Sequence, residues 1–134
     1  MNVQERVAAR DGHHAVIVCH PDPDSFNHAI ATTYCDTVRT AGQRAVVRDL
    51  YAMGFDPVLK ADERSMLGSP VRSDDVVTEL DALAGSDVFV LIYPIWFGSA
   101  PAMLKDYVER VLGAGVPPEG VLHQVRRSPL ATRP

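Results

Sequence analysis

Two loops of this chain carry the residues best suited to hold a ligand. The first, residues 20–27, reads His-Pro-Asp-Pro-Asp-Ser-Phe-Asn and follows the apolar run 15–19. The second, residues 93–102, reads Tyr-Pro-Ile-Trp-Phe-Gly-Ser-Ala-Pro-Ala and follows the run 87–92. One loop offers amides and a hydroxyl to an anion, and the other offers a flat aromatic wall. The pair suits a planar ring with an anionic tail, provided that the fold brings the loops together.

Short apolar runs alternate with amphipathic segments, which indicates the α/β fold class. Strands are predicted at residues 15–19, 44–49 and 87–92, the second of them with a short apolar centre suited to a sheet edge. We predict a flavodoxin-like, doubly wound parallel sheet with these strands in the order 2-1-3. Such sheets bind ligands beyond the carboxyl ends of the strands, where the strand order reverses. In that order the two loops flank one crevice, and a flavin is the ligand that they suggest.

The three predicted helices have start and stop signals and a periodic apolar face. Ser25, Ser73 and Pro101 suit their first turns, while Gly42 and Gly113 suit their ends. The residues predicted to face the core are Phe26, Ile30, Tyr34 and Val38 on the first helix, Val76, Val77, Leu80, Leu83 and Ala84 on the second, and Met103, Leu104, Tyr107, Val108, Val111 and Leu112 on the third.

The C-terminal part of the sequence departs from a complete sheet of this type. We assign residues 1–12 to a polar N-terminal lead, residues 13–113 to the flavodoxin-like domain and residues 114–134 to an irregular, proline-rich tail. A doubly wound sheet has about five strands or more, so strands 4 and 5 are expected to be missing and the chain to be truncated. The long connection at residues 50–72 is of a length that is usually functional or mobile.

Composition excludes several other classes of protein. The net charge of −4 and the pI near 5.6 argue against nucleic acid as a partner. No apolar stretch reaches the ~18–20 residues of a membrane span, and the N-terminal residues lack the apolar region of a signal peptide. The two cysteines form no metal-binding spacing. We expect a reduced, cytoplasmic protein with no metal and no membrane insertion.

Several sequence blocks resemble the NAD(P)H dehydrogenase (quinone) family of flavoproteins, which includes quinone reductases and bacterial relatives that accompany potassium efflux systems. The matching pieces are His20, the Ser-Phe-Asn at 25–27, the block 49–57, and the blocks 93–105 and 109–111. Ser-Phe-Asn alone would be weak evidence, because three common residues can occur together by chance. The blocks follow one another in family order, each at the expected strand end, which makes the resemblance specific.

The resemblance implies a flavin-dependent NAD(P)H:quinone oxidoreductase that transfers two electrons, or the N-terminal portion of one. It implies NAD(P)H as co-substrate, a quinone as acceptor, a homodimer at full length and no catalytic side chain. FAD is slightly favoured over FMN. The alternative is a flavin-binding regulatory or ancillary subunit of a potassium efflux transporter. A one-electron flavodoxin carrier is disfavoured, because such a carrier would not need the block 49–57.

By the same resemblance, eight residues are candidates for binding the flavin. They are His20, Ser25, Phe26 and Asn27 at the phosphate, and Pro94, Ile95, Trp96 and Phe97 at the isoalloxazine ring. The helix that begins at Phe26 adds a positive dipole end for the phosphate. Ser25 either binds phosphate or only caps that helix, and Phe26 is expected to be a core residue that contributes its amide. Ordinary core packing is the alternative for Trp96 and Phe97, and it is weakened because a cluster of aromatic residues in a strand-end loop needs a reason to be there.

The other polar candidates receive ordinary interpretations. His13 and His14 precede the first strand and are expected to be solvated, and His28 is expected to face solvent or neighbouring loops. Asp106 and Arg110 form an i,i+4 pair on the third helix, worth a few tenths of a kcal/mol.

Overall fold

A computed structural model describes residues 11–63 and 71–114 of the chain. Its elements, in chain order, are β1 (His13–Val18), α1 (Phe26–Thr40), β2 (Arg44–Asp49), a 3₁₀ turn (Ala61–Glu63), α2 (Asp74–Leu83), β3 (Val88–Ile92) and α3 (Ala102–Tyr107), which continues into a π-helical turn (Val108–Leu112). Residues 1–10 and 115–134, with most of the predicted lead and tail, lie outside the described residues, as do residues 64–70 of the long connection.

The three strands form one parallel sheet in the order β2-β1-β3. The predicted order 2-1-3 is therefore confirmed. The central strand is β1, whose residues Ala15 to Val18 and the following Cys19 are almost fully buried. Its near-continuous apolar run reflects burial on both faces, as expected for a parallel strand between two helical layers.

The core lies in two layers, one on each face of the sheet. Because successive strand residues point to opposite faces, Ala15 and Ile17 join one layer while Val16 and Val18 join the other. The first layer contains apolar side chains of α2 and of α3 with its π-helical extension, and the second contains those of α1. The sheet is thus covered on both faces, which is the doubly wound arrangement.

The predicted buried face of α1 is wrong at its first turn. Ala31, Cys35 and Val38 form the buried stripe, whereas Phe26 is 80% exposed and Ile30 is 39% exposed. A row of residues spaced by four drifts around a helix of 3.6 residues per turn, so its early members leave the core-facing side. Phe26 is consequently a surface residue at the site and not the core residue that the sequence indicated.

Three further residues predicted to face the core are exposed: Val77, Val108 and Ala84, the last of which follows α2 directly. Val77 is 41% exposed and Val108 is 38% exposed, while their neighbours Val76 and Tyr107 are buried. A step of one residue turns a helix by about 100°, so adjacent apolar residues cannot both point into the core.

Most of the helix boundaries follow the predicted signals. Ser25 caps α1 by accepting a hydrogen bond from the His28 amide, and Gly42 follows the helix with a φ of 78°. Pro101 precedes α3 as its N-cap residue. Ser73 occupies the N-cap position of α2, but its hydroxyl donates to the Glu63 carboxylate at 2.6 Å and makes no capping bond.

Arg110 does not pair with Asp106, and that prediction is wrong. Its side chain is fully buried and donates to Glu63 at 2.8 and 3.2 Å and to Asp75 at 2.7 and 3.0 Å. Arg110 also donates to the Asp56 carbonyl. The π-helical turn therefore ties the segment after β2 to the start of α2.

This cluster controls the ionisation of its carboxylates. The hydrogen bonds from Arg110 are the main cause that lowers the pKa of Glu63 to about 2, against the opposing effect of burial. The pKa of Asp75 is lowered for the same first reason. Burial alone would lower the pKa of Arg110, but its hydrogen bonds to Glu63 and Asp75 raise it instead. All three groups are charged at neutral pH.

Two of the histidines predicted to face solvent are hydrogen bonded. His14 contacts the Tyr34 hydroxyl through Nδ1 at 2.7 Å and the Gln43 side-chain oxygen through Nε2 at 2.8 Å. His28 is also held through both ring nitrogens, as described below.

Within residues 11–63 and 71–114, no helix is both long and apolar enough to cross a membrane.

Both cysteines are buried free thiols, and this arrangement makes a testable prediction. Burial is the main cause that raises the pKa of Cys19 to about 11, and it also raises the pKa of Cys35. Since the thiolate is the reactive form, we expect neither thiol to react with Ellman's reagent at pH 8 in the native chain. Both should react after unfolding in guanidinium chloride, and a fast-reacting thiol in the native chain would contradict the described packing.

Candidate cofactor site

The fold brings the two candidate loops side by side. The amide of Cys19, directly after β1, donates to the carbonyl of Ile92 at the end of β3 with a distance of 3.0 Å. The ring centroids of His20 and Trp96, one from each loop, are 5.8 Å apart. The two loops therefore lie next to each other at the carboxyl ends of β1 and β3.

The first loop is folded tightly by its own polar groups. His20 accepts the Asp22 amide through Nδ1 at 3.0 Å, and Asp22 accepts the Asp24 amide through its side chain at 2.9 Å. The Ser25 amide donates to the Asp22 carbonyl at 3.1 Å. Because Nδ1 of His20 accepts, the neutral ring carries its proton on Nε2 and can donate from that atom.

The loop delivers the chain into the N-terminus of α1. The first amides of a helix lack acceptors within the helix, and here these include the amides of Phe26 and Asn27. They lie at the positive end of the helix dipole, which favours an anion. The first turn of α1 has no acidic residue to compete for that position.

The second loop presents its apolar side chains outward. Trp96 and Ser99 exchange backbone hydrogen bonds of 2.9 and 3.0 Å across a tight turn. Its central residues, Phe97 and Gly98, have φ values of 51° and 73°. Positive φ is costly for a residue with a side chain, and strain of this kind clusters at functional sites.

The apolar side chains of this loop are exposed and do not belong to the core. Phe97 is fully exposed, Ile95 is 76% exposed and Trp96 is 40% exposed. Phe26 on the first turn of α1 and Tyr93 directly after β3 are exposed as well. Clustered exposure of this kind marks a binding surface.

His28 lies beside the candidate site, and the sequence interpretation gave it no role there. Its Nδ1 lies 2.8 Å from the Ser25 hydroxyl, and its Nε2 lies 2.8 Å from the carboxylate of Asp49, the last residue of β2. The rings of His28 and His20 meet edge to face at 6.4 Å. The available signals were the i,i+3 spacing of Ser25 and His28 and the position of Asp49 at a strand end.

The residues present fit a flavin. Helix amides, a hydroxyl and imidazole groups gather where the first loop enters α1, and an exposed aromatic surface lies on the adjoining loop. Among the described residues, no group of three or more His, Cys, Asp or Glu side chains could hold a metal ion. The donor set is thus suited to a phosphate-bearing organic ring.

The fold and the site define a flavodoxin-like protein, and comparison with known families agrees. A family model described as "Flavodoxin-like fold" matches residues 13–126. The chain belongs to this family.

Individual relatives bear out the resemblance to the quinone reductases. The chain is 35% identical over 103 residues to an uncharacterised NAD(P)H oxidoreductase of Haemophilus influenzae, covering 76% of this chain and 51% of that protein. It is 28% identical over 119 residues to rat NAD(P)H dehydrogenase (quinone) 1, covering 75% and 43% respectively. The chain spans about half the length of these relatives or less.

A solved structure gives the same result. The chain superposes on an NAD(P)H:quinone oxidoreductase from Methanothermobacter marburgensis with a TM-score of 0.67 and 28% sequence identity. The match covers 76% of this chain and 54% of that one.

Proposed function

We propose that this chain acts as a flavin-dependent NAD(P)H:quinone oxidoreductase, or contributes the N-terminal flavin-binding part of one. The observation that carries the proposal is the pairing of the two loops, in which His20 and Trp96 lie 5.8 Å apart at the ends of adjacent strands. Membership of the flavodoxin-like family and the names of the relatives above support it.

The first loop would hold the phosphate of the cofactor. The amides of Phe26 and Asn27 and the Asn27 side chain donate hydrogen bonds there, and His20 adds a donor through Nε2. Ser25 is both a cap of α1 and a candidate contact to the phosphate. Bonds to a charged group in such a place are stronger than bonds between neutral groups.

The second loop would position the ring. Pro94, Ile95, Trp96 and Phe97 provide a surface against which it packs and from which water is excluded. When bound, a flavin supplies the redox chemistry itself, taking two electrons from NAD(P)H and passing them to a quinone. The side chains of this chain bind and orient, and none is needed as a nucleophile or general base.

The finer points of the proposal follow from the resemblance. We assign FAD rather than FMN as the cofactor and a homodimer as the working form. The exposed apolar side chains near the site favour association with another surface.

Two buried, unpaired cysteines suit the reducing cytoplasm, which we propose as the location. A regulatory subunit of a potassium efflux transporter gains no support from the relatives described above, whose names are those of oxidoreductases.

Turnover and cofactor identity test this function directly. The purified full chain should retain a yellow cofactor whose mass after release is that of FAD. If it acts as the whole enzyme, it should also oxidise NADH or NADPH in the presence of a benzoquinone, with one quinone consumed per NAD(P)H; flavin binding without turnover would support its role as the N-terminal part of one. A preparation that binds no flavin at any concentration tested would overturn the proposal.

Trp96 is a clean reporter of the ring position, because the sequence has one tryptophan. We expect its fluorescence to be strongly quenched as FAD saturates the site. Trp96→Ala should weaken FAD binding by about 0.5–1.5 kcal/mol beyond the area lost, since aromatic contacts contribute that much. Trp96→Phe, which keeps an aromatic ring, should recover most of the affinity. Unchanged fluorescence on saturation would contradict the assignment of Trp96.

A further inference from the structure

A continuous hydrogen-bonded chain links the end of β2 to the N-terminus of α1. The Asp49 carboxylate contacts Nε2 of His28 at 2.8 Å, and Nδ1 of His28 contacts the Ser25 hydroxyl at 2.8 Å. Ser25 in turn accepts the His28 amide at 3.3 Å. The side chains of His28 and Asp49 are 16% and 23% exposed, so the chain is largely shielded from water.

The direction of each hydrogen bond follows from the donors available. An ionised Asp49 can only accept, so Nε2 of His28 carries a proton. In neutral His28 the other nitrogen, Nδ1, is then a bare acceptor. The single hydroxyl proton of Ser25 is consequently donated to Nδ1, and the Ser25 oxygen has no proton left for an external anion.

Protonation of His28 reverses the second bond. Nδ1 then carries a proton and donates it to the Ser25 oxygen. The hydroxyl proton of Ser25 becomes free to point toward a phosphate oxygen beside the amides of Phe26 and Asn27. The same Ser25 oxygen still accepts the His28 amide, so the cap of α1 is kept.

We propose that His28, held by Asp49, is a positioning residue that couples phosphate binding at α1 to the uptake of one proton. This inference rests on the proposed flavin site, which it deepens. It assigns Ser25 two roles that depend on His28: a helix cap in both states, and a phosphate donor only when His28 is protonated. Affinity for a phosphate-bearing cofactor is therefore higher when His28 is protonated than when it is neutral.

Several titratable groups lie near His28. Asp49 faces it from β2, with its carboxylate 2.8 Å from Nε2. His20 faces it from the first loop, edge to face at 6.4 Å, and a charge on that ring would oppose protonation. On the loop that leads into α1, Asp22 and Asp24 are exposed carboxylates.

FAD and riboflavin, applied to the full chain, distinguish this coupling from simple ring binding. The diphosphate of FAD stays ionised through pH 5.5–8.5, and riboflavin has no phosphate. We expect the Kd of FAD to increase by about tenfold from pH 6 to pH 8, and the Kd of riboflavin to change little. Calorimetry in two buffers of different ionisation enthalpy should show proton uptake with FAD and none with riboflavin.

Variants locate the proton. His28→Gln should remove both the pH dependence and the proton uptake, and Asp49→Asn should reduce the proton uptake because the carboxylate that accepts from Nε2 of His28 is lost. His14→Gln is the matched control, since that half-buried ring also bonds through both nitrogens but lies toward the other end of β1. It should leave the FAD pH profile unchanged. Circular dichroism would check that each variant is folded.

The outcomes separate this inference from the function on which it rests. If FAD binds equally well from pH 6 to pH 8 without proton uptake, the coupling is wrong and the flavin site stands. If His28→Gln folds and retains the pH dependence, His28 is not the group involved and the inference fails. If FAD does not bind at any pH, the proposed function and the coupling are both overturned.

Discussion

Replacing Arg110 with Met is expected to lower the free energy of unfolding by about 3–5 kcal/mol at pH 7, the usual cost of removing one partner from a buried ion pair. The guanidinium bonds to Glu63, Asp75 and the carbonyl of Asp56, and it lies over the Phe55 ring at 5.5 Å. Methionine fills similar space but leaves the nearly buried Glu63 carboxylate without its counter-charge. Urea unfolding at constant slope would measure the loss.

Arg39→Met is the matched control. Arg39 lies exposed on α1 and donates to the Ala45 carbonyl at 3.2 Å. Exposed substitutions of this kind usually change stability by about 0.5 kcal/mol or less. A similar loss in both variants would mean that the buried cluster contributes nothing special.

The cluster also predicts how stability changes with acid. The pKa of Glu63 falls from 4.5 to about 2 on folding, so its stabilising contribution is full above pH 4.5 and is lost as the pH falls from about 4.5 toward 2. In Arg110→Met, the Glu63 carboxyl has lost its guanidinium partner, and its burial costs less when it is protonated than when it is ionised. The deficit of the variant relative to the parent chain should therefore shrink between pH 6 and pH 3. A deficit that stays constant over this interval would contradict the role of Glu63.

Asn27→Ala is expected to weaken FAD binding by about 1.5–3 kcal/mol, or roughly ten- to a hundredfold, because a hydrogen bond to a charged group is lost. Asn27 lies on the first turn of α1, where helix amides and the nearby His20 converge on the proposed phosphate. His20→Ala should act in the same direction. Titration of FAD against Trp96 fluorescence would give both dissociation constants.

His13→Ala provides the control for this site. His13 begins β1, at the end of the strand remote from the two loops, and its amide donates to Asp87 at 3.0 Å. Its removal should leave FAD affinity unchanged within experimental error. Equal losses from the variants at His13, His20 and Asn27 would mean that the phosphate end has been misplaced.

Local sequence signals were enough to predict three strands, most of the helix boundaries and the two loops of the candidate site, although β1 begins two residues earlier than predicted. The run 44–49 became a strand with the predicted bounds, and Ser25 and Gly42 bound α1 as predicted. These signals are local, because apolar periodicity and capping depend on residues a few positions apart. The strand order also followed, since the family blocks place each loop at its strand end. Exposure of Trp96 and Phe97 was predictable from their position in a strand-end loop.

Only the tertiary structure decided which polar side chains pair and which apolar ones remain exposed. Arg110 has an ordinary partner four residues away in Asp106, yet it bonds to Asp75 and Glu63, which are 35 and 47 positions away. His28 bonds to Asp49 across 21 positions. These partners lie on separate elements of the fold. Burial of a charged side chain without hydrogen-bond partners is costly, so its partners are the polar groups that packing places next to it. Phe26 remains exposed because the rotation of α1 against the sheet, set by Ala31, Cys35 and Val38, turns its first residue outward.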